Sequence, residues 1–459
     1  MENLLRNSSE RAIRYLATLD QRSVAPDAAA VAGVDRFRER LPETTVDPAE
    51  VLRLLDEFGS PATLALAGRR FFGFVIGGSL PVTVAASWLA TAWDQNSAFF
   101  STTPATSRIE EVALGWLLDL LGLPPESGGA FVTGATVANF TALAAARGAV
   151  LGRAGWDVEA DGLIGAPEVT VVVSEEAHPT LLKSLGLLGF GRTRPVRVPV
   201  DGQGRIRPDK LPRLDGPAIV CVQAGNINTG AFDPFAEICE RVHESGGWVH
   251  VDGAFGLWAQ AAPSRRHLAT GVELADSWAT DAHKYLNVPY DSGLAFVRDP
   301  ATLRSAMAIT ATYLPAPNGH RDPSDYTPEL SRRARGVEVW AALRHLGRAG
   351  VADLVERTCR HARRFAEGLR EDGFEILNEV VLNQVLVSFG DPETTKRVIE
   401  EVQREGTCWC GGSVWQGRTA MRISVSSWAT TEEDVERSLV AIRRAAAKHC
   451  GHITATLRT

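Results

Sequence analysis

The chain has 459 residues, 45% of them hydrophobic and 22% charged, with a formal net charge of −7. That is enough chain for two or three folding units with buried cores, and the acidic balance offers no basic footprint for nucleic acid or an anionic membrane. The cysteines Cys221, Cys239, Cys359, Cys408, Cys410 and Cys450 are scattered and form no disulfide framework, which suits a reducing cytoplasm, and Cys408-Trp409-Cys410 lacks the spacing and clustered histidines of a zinc site, so no metal is expected.

In chain order, residues 1 to 66 mix charge with helical periodicity and two breaks, Pro26 and Pro42; Leu52, Leu54, Leu55 and Phe58 share one helical stripe that must pack on something. No apolar signal core opens the chain, and the apolar-leaning run 81–93 is too short to span a bilayer. Arg70-Phe71-Phe72-Gly73-Phe74-Val75-Ile76-Gly77-Gly78 is an aromatic cluster whose glycines permit close backbone approach. Thr103-Pro104 opens a helix through Ile109, Val112, Trp116, Leu117 and Leu120 that ends near Gly122. Residues 128–139 then give a short strand, a small-residue turn and an alanine-rich helix through Arg147. Backbone N–H groups at that helix start, beside a threonine hydroxyl, form an anion site. The pattern is neither a Walker loop nor a dinucleotide fingerprint, so no nucleotide is implied, and small residues equally serve to pack a helix on a strand.

Val169 to Val173 is a buried strand followed by Ser174-Glu175-Glu176-Ala177-His178, Thr180 and Lys183. Another strand, Ala218 to Val222, leads into residues 223–230 and Asp233. The next strand ends on Asp252, followed by Gly253-Ala254. Strand C-terminal ends gather ligands in an open α/β sheet, so this acid faces the crevice, although taken alone it reads better as a helix N-cap. Past the strand Ser277-Trp278-Ala279-Thr280, Lys284 sits beside His283. An amine there suits covalent work on a carbonyl cofactor, against the bland reading of a solvated loop charge. The stretch from Asp252 to Lys284 has room for one crossover and one more strand, which lets both face one crevice.

The strand Gly293 to Val297 continues the alternation expected of a mostly parallel sheet with helices on both faces. Residues 311–319 form a polar, proline-bearing surface loop. Ser331-Arg332-Arg333-Ala334-Arg335 opens a helix through Trp340 and Leu343, its arginines mostly a solvated helix start, with one of them available to anchor the loop or to reach an acid across a dimer. Beyond it come charged helices, a strand near 385–389 and the segment 418–426, a smaller α+β domain. Arg422 is the one basic residue in the last strand pattern, binding a carboxylate or, the favoured role, closing an internal ion pair.

Three ordered motifs, His250-Val251-Asp252-Gly253-Ala254, Asp276-Ser277 leading to His283-Lys284, and Ser174 to His178 with Thr180 and Lys183, make the chain resemble the group II pyridoxal-phosphate-dependent amino acid decarboxylases, the family of aromatic-L-amino-acid and glutamate decarboxylases. The resemblance covers roughly residues 35–445 and is sharpest between 131 and 297. It implies an α/β fold of the pyridoxal-phosphate-dependent transferase type (aspartate aminotransferase fold type I). Its parts would be an N-terminal helical segment, 1–66, at a dimer interface, a large cofactor domain, 67–341, and a small C-terminal α+β domain, 342–459. It further implies pyridoxal 5'-phosphate bonded to Lys284, Asp252 opposite the pyridine nitrogen, His178 stacked on the ring with Ala254 across it, Asn226 as a further ring contact, and the phosphate at Ala135, Thr136 and His283. Tyr313 would be the proton donor, with Tyr326 its competitor, and Phe72, Phe74 and Ile76 an apolar substrate wall. Two positions depart from the family: Val137 replaces its usual glutamate, and Asn226 a more frequent threonine.

The activity so implied is decarboxylation of an L-amino acid, aromatic or bulky and apolar, to carbon dioxide and the amine, by a cytoplasmic homodimer with no nucleic acid or membrane partner. The same cofactor would also serve an acidic amino acid decarboxylase, an aldehyde-forming decarboxylase or a carbon–carbon lyase. Intact Asp252, Lys284 and His178 argue against a catalytically silent homologue with a binding role.

Overall fold

The structure, a computed structural model, describes residues 1–312, 314 and 319–450. Contacts within the chain gather it into two units, one of Met1–Gly78, His361–Leu377 and Val385–Thr459, the other of Ser79–Arg360 and Asn378–Gln384.

The second unit is built on seven strands: β1 (Gly128–Val132), β2 (Thr170–Ser174), β3 (Val196–Val198), β4 (Ala218–Gln223), β5 (Trp248–Asp252), β6 (Ser277–Asp281) and β7 (Gly293–Val297). They lie in the order β1-β7-β6-β5-β4-β2-β3. Pairing is parallel from β3 through β2, β4 and β5 to β6, whereas β7 runs antiparallel to both β6 and β1. The alternation of strands suggested a parallel β7. Its direction reverses because residues 282–292, which join it to β6, hold no crossover helix, and a parallel return needs one. The sheet interior is a near-continuous apolar run, as in Ala218-Ile219-Val220-Cys221-Val222 of β4, every residue buried. Leu143 and Val150 of the helix Ala135–Arg153 and Leu181 and Leu185 of the helix Pro179–Leu187 pack into one core with Val171, Val173 and Ile219.

The arginine run 331–335 is not a solvated helix start. The helical run begins at Gly336, and the fully buried Arg332 side chain donates to Glu110 Oε2 (2.8 Å), Ser97 O (2.8 Å) and Phe131 O (2.9 Å). Arg321 reaches Glu110 Oε1 at 3.2 Å and Gly129 O at 2.6 Å, and Arg335 meets Asp291 at 2.8 Å. Glu110 is only 1% exposed. A carboxylate taken that far from water needs cations with it, and Arg332 and Arg321 supply them.

The first unit holds a four-stranded sheet in the order β10-β11-β9-β8, with β8 (Glu375–Ile376), β9 (Gln384–Ser388), β10 (Gly411–Trp415) and β11 (Arg418–Ser424). The N-terminal stretch is built into this unit: Val24 N–H donates to Gly406 O at 2.8 Å, and Arg70 bonds Thr407 O (2.8 Å) and Asp434 (3.0 Å). Phe71 stacks on Trp409 with centroids 5.0 Å apart, and a Cβ on Gly73 would stand 2.3 Å from the same indole, so only glycine fits there. Phe72 is 0% exposed and packs edge-on against Phe365. Arg422 lies on β11 opposite Gly411. Burial pulls its pKa down, and among the described residues no carboxylate pairs with it, so the favoured internal ion pair is not formed there. Among the described residues no helix is long and apolar enough to cross a membrane, and no cluster of His, Cys, Asp or Glu is placed to hold a metal.

Candidate active site

The C-terminal ends of β2, β4, β5 and β6 converge with the N-terminus of the helix Ala135–Arg153 on a cavity of about 190 Å³. Its walls are Gly134, Ala135, Thr136, His178, Thr180, Gln223, Gly225, Ile227, Asp252, Ala254, Phe255, Asp281, His283 and Lys284. Of the expected ligands of the cofactor, Lys284, Asp252, His178, Ala254, Ala135, Thr136 and His283 are therefore brought together at one place, as the strand-end rule for open α/β sheets leads one to expect.

Lys284 follows β6 in a tight turn, and its Nζ lies 3.1 Å from Asp281 Oδ2. Asp281 Oδ1 accepts the Ala135 backbone N–H at 2.6 Å, so the helix N-terminus expected to hold a phosphate has its first amide engaged by a carboxylate. His283 Nε2 is 3.6 Å from Asp281 Oδ2, and its ring stacks on Tyr290 with centroids 4.2 Å apart. Burial holds the His283 pKa below the usual imidazole range, Asp281 working the other way, and Nδ1 is buried without a partner among the described residues.

Asp252 closes β5. Its Oδ1 accepts Ala254 N–H at 3.2 Å and its Oδ2 accepts Asn139 Nδ2 at 3.3 Å. His178 caps the helix Pro179–Leu187: Nδ1 accepts the Thr180 N–H at 3.3 Å and lies 2.7 Å from the Thr180 hydroxyl, which fixes the ring plane. Ser184 Oγ donates to Thr136 O at 2.8 Å and ties that helix to the turn.

Asn226 is not a wall of the cavity. Its amide nitrogen donates to Glu176 at 2.9 Å and its oxygen accepts the N–H groups of Asn228 (2.8 Å) and Thr229 (3.3 Å), so the side chain is engaged in shaping its own loop. Gly225 and Ile227, on either side, line the cavity instead. Tyr326 lies beneath the Arg321 guanidinium, 4.3 Å from ring centroid to carbon, and is not in the wall either. Tyr313 lies outside the described residues. Phe72, Phe74 and Ile76 belong to the other unit; Phe72 is enclosed there, so of the three only Phe74, 57% exposed, and the half-buried Ile76 show apolar surface. Asp281 and Gln223 were not singled out from the sequence, yet each ends a strand as Asp252 does, and that position was the available signal.

These residues fit pyridoxal phosphate: an amine for its aldehyde, an acid for its ring nitrogen, an imidazole and a methyl group for its two faces, and a helix N-terminus for its phosphate. The buried His283 Nδ1 and Gln223 Oε1, both without partners among the described residues, are further polar atoms suited to such a ligand.

The conserved-domain model of the pyridoxal-dependent decarboxylases matches residues 67–390. An aromatic-L-amino-acid decarboxylase of Bacillus atrophaeus is 26% identical over 422 residues, 87% of this chain and 86% of that one. An acidic amino acid decarboxylase of Mus musculus is 29% identical over 324 residues, 68% of this chain and 58% of that one. Other relatives are named histidine decarboxylase, from Homo sapiens, and 4-hydroxyphenylacetaldehyde synthase, from Rhodiola rosea. The crystal structure of the Oryza sativa protein described as TDC with PLP and tryptamine superposes with a TM-score of 0.90 at 22% identity, covering 98% of each chain, and so shares the fold. With most of its length inside the family model and relatives of the same kind on every side, this chain belongs to the pyridoxal-dependent decarboxylases, carboxy-lyases that act on amino acids with pyridoxal phosphate as cofactor.

Proposed function

We propose that the chain decarboxylates an aromatic or bulky apolar L-amino acid, releasing carbon dioxide and the amine. The observation that carries the reading is the meeting of Lys284, Asp252, His178 and the turn Gly134–Thr136 on one cavity. The aromatic preference draws on the name of the Bacillus relative. Pyridoxal phosphate, when bound, supplies a ring that draws electrons from the α-carbon of the attached amino acid. Lys284 would hold the cofactor through its amine, with Asp281 Oδ2 at 3.1 Å as an acceptor for its proton. Asp252 would hold a proton on the ring nitrogen, and His178 and Ala254 would hold the two faces of the ring, an orientation that selects the bond to be broken. Tyr313 then gives a proton to the α-carbon. The active form is a dimer of identical chains, a reading supported by the exposed Leu5, Ile13, Leu16, Phe37 and Leu41 of the N-terminal stretch.

Borohydride reduction of the holoenzyme followed by peptide mapping tests the central role: the cofactor should be found on Lys284, and Lys284→Ala should lose both the cofactor absorbance band and turnover. A variant that kept both would refute the assignment. Screening amino acids for released carbon dioxide decides the substrate class. A second reading, decarboxylation to an aldehyde, is favoured by the name of the Rhodiola relative; peroxide and ammonia released in step with carbon dioxide would establish it in place of the amine.

A further inference from the structure

Behind Asp252, away from the cavity, runs a line of buried polar side chains. Asn139 Nδ2 donates to Asp252 Oδ2 at 3.3 Å, Asn139 Oδ1 lies 2.8 Å from His250 Nε2, His250 Nδ1 lies 2.9 Å from Ser277 Oγ, and Trp248 Nε1 donates to that same Oγ at 2.9 Å. All five side chains are buried. The chemistry of the two ends fixes every hydrogen between them. An indole N–H only donates and a carboxylate only accepts. With the Asn139 amide nitrogen on the carboxylate, its oxygen must accept, so His250 Nε2 carries the hydrogen. Burial pushes the His250 pKa down to about 3, so the ring is neutral and Nδ1 accepts the Ser277 hydroxyl hydrogen. Every donor therefore points the same way, from Trp248 through Ser277, His250 and Asn139 to Asp252.

We propose that Asn139 and His250 are positioning residues for Asp252, and that this aligned line of donors sets the carboxylate so that a proton stays on the cofactor's ring nitrogen; the inference rests on the role given to Asp252 above. Aligned hydrogen bonds polarise one another, and their positive ends face the acid. Asn139 and the Ala254 N–H each take one carboxylate oxygen, which fixes its plane. The other titratable group facing the acid from a neighbouring strand is Cys221 on β4, a buried thiol that burial and Asp252 together keep protonated; Asp281 and Lys284 share the cavity. The strands explain the arrangement. His250 and Asp252 alternate with Val249 and Val251 on β5 and so share a face, and His250 is in register with Ser277 of β6. Asn139 stands one turn into the helix whose first residues are Ala135 and Thr136, so a single rigid element holds both the turn expected to take the phosphate and the group that aims the acid at the far end of the ring.

The test reads the ring nitrogen directly. Holoenzyme reconstituted with pyridoxal phosphate labelled with nitrogen-15 at the ring is titrated by NMR, alongside kcat, KM and the melting temperature. Asn139→Leu and His250→Leu should each lower the pH at which the ring nitrogen loses its proton by about one unit or more and reduce kcat about tenfold with KM little changed. His250→Gln, which keeps an amide N–H where Nε2 stood, should restore most of the shift. Should either leucine variant fail to fold, Ser277→Ala at the far end decides, with a smaller shift in the same direction. A nitrogen that titrates as in the parent protein in every folded variant, while only the melting temperature falls, would overturn the proposal and leave the line a structural one. Asp252→Asn is the control: if it too leaves the nitrogen unchanged, the role of Asp252 itself has failed, and the inference with it.

Discussion

Asp281 stands where two expected contacts of the phosphate, Ala135 and His283, meet the amine of Lys284, its carboxylate taking the Ala135 N–H at 2.6 Å and lying 3.1 Å from Lys284 and 3.6 Å from His283. Two negative groups at one helix N-terminus compete for the same donors and repel each other. Asp281→Asn keeps an oxygen for Ala135 and removes the charge, so pyridoxal phosphate should bind the apo-protein about tenfold more tightly, ~1.4 kcal/mol, as measured by equilibrium dialysis. Unchanged or weaker retention would show that the carboxylate favours the lysine more than it opposes the phosphate. This residue was as visible in the sequence as Asp252, since both end strands. What hid it was its partner, an amide 146 positions away whose direction only the folded helix reveals. Asn139 was hidden for the same reason: a small polar residue in an alanine-rich helix gives no sign that it faces an acid on the next element.

At the scale of elements, the strands that carry the site and the positions of their ends were legible, because buried β-branched runs bounded by glycine and polar residues have few other readings. Direction was less so. The antiparallel course of β7 follows from the connection before it, where no periodicity marks a helix. The arginines at 332 and 335 misled because charge next to a helix start is ordinarily solvated; the burial of Arg332 depends on Glu110, 222 positions before it, and that of Arg335 on Asp291, 44 positions before it. That network ties the segment following Tyr313 to β1 through the carbonyls of Gly129 and Phe131. Glu110→Gln leaves two guanidinium groups facing a neutral amide in a buried place, and should cost roughly 3–5 kcal/mol of stability, read as a lowered urea midpoint. An exposed ion pair would contribute less than about 1 kcal/mol, so a midpoint shift that small would mean water reaches the network.

Across the whole molecule, the convergence of distant motifs on one cavity was legible through the resemblance, since each motif ends a strand and strand ends meet by topology. The grouping of the chain was not. The expected divisions at 66 and 341 follow chain order, while the units interleave, the N-terminal stretch joining the C-terminal one through bonds such as Arg70 to Asp434. Long-range pairings of this kind leave no local periodicity to read. Stability of the assembled molecule toward acid should carry the mark of His250. Its folded pKa is about 3, below the ordinary value of about 6.5, so between those values the unfolded chain binds a proton that the folded chain refuses. His250 therefore leaves stability untouched above about pH 6.5 and lowers it as the pH falls toward 3, by at most about 1.4 kcal/mol per pH unit. The urea midpoint of the apo-protein should decline on going from pH 6.5 to 4, and His250→Gln, which takes up no proton, should show a shallower decline over the same window. Parallel curves for the two proteins would place the acid sensitivity on other groups and leave the imidazole able to accept its proton without unfolding.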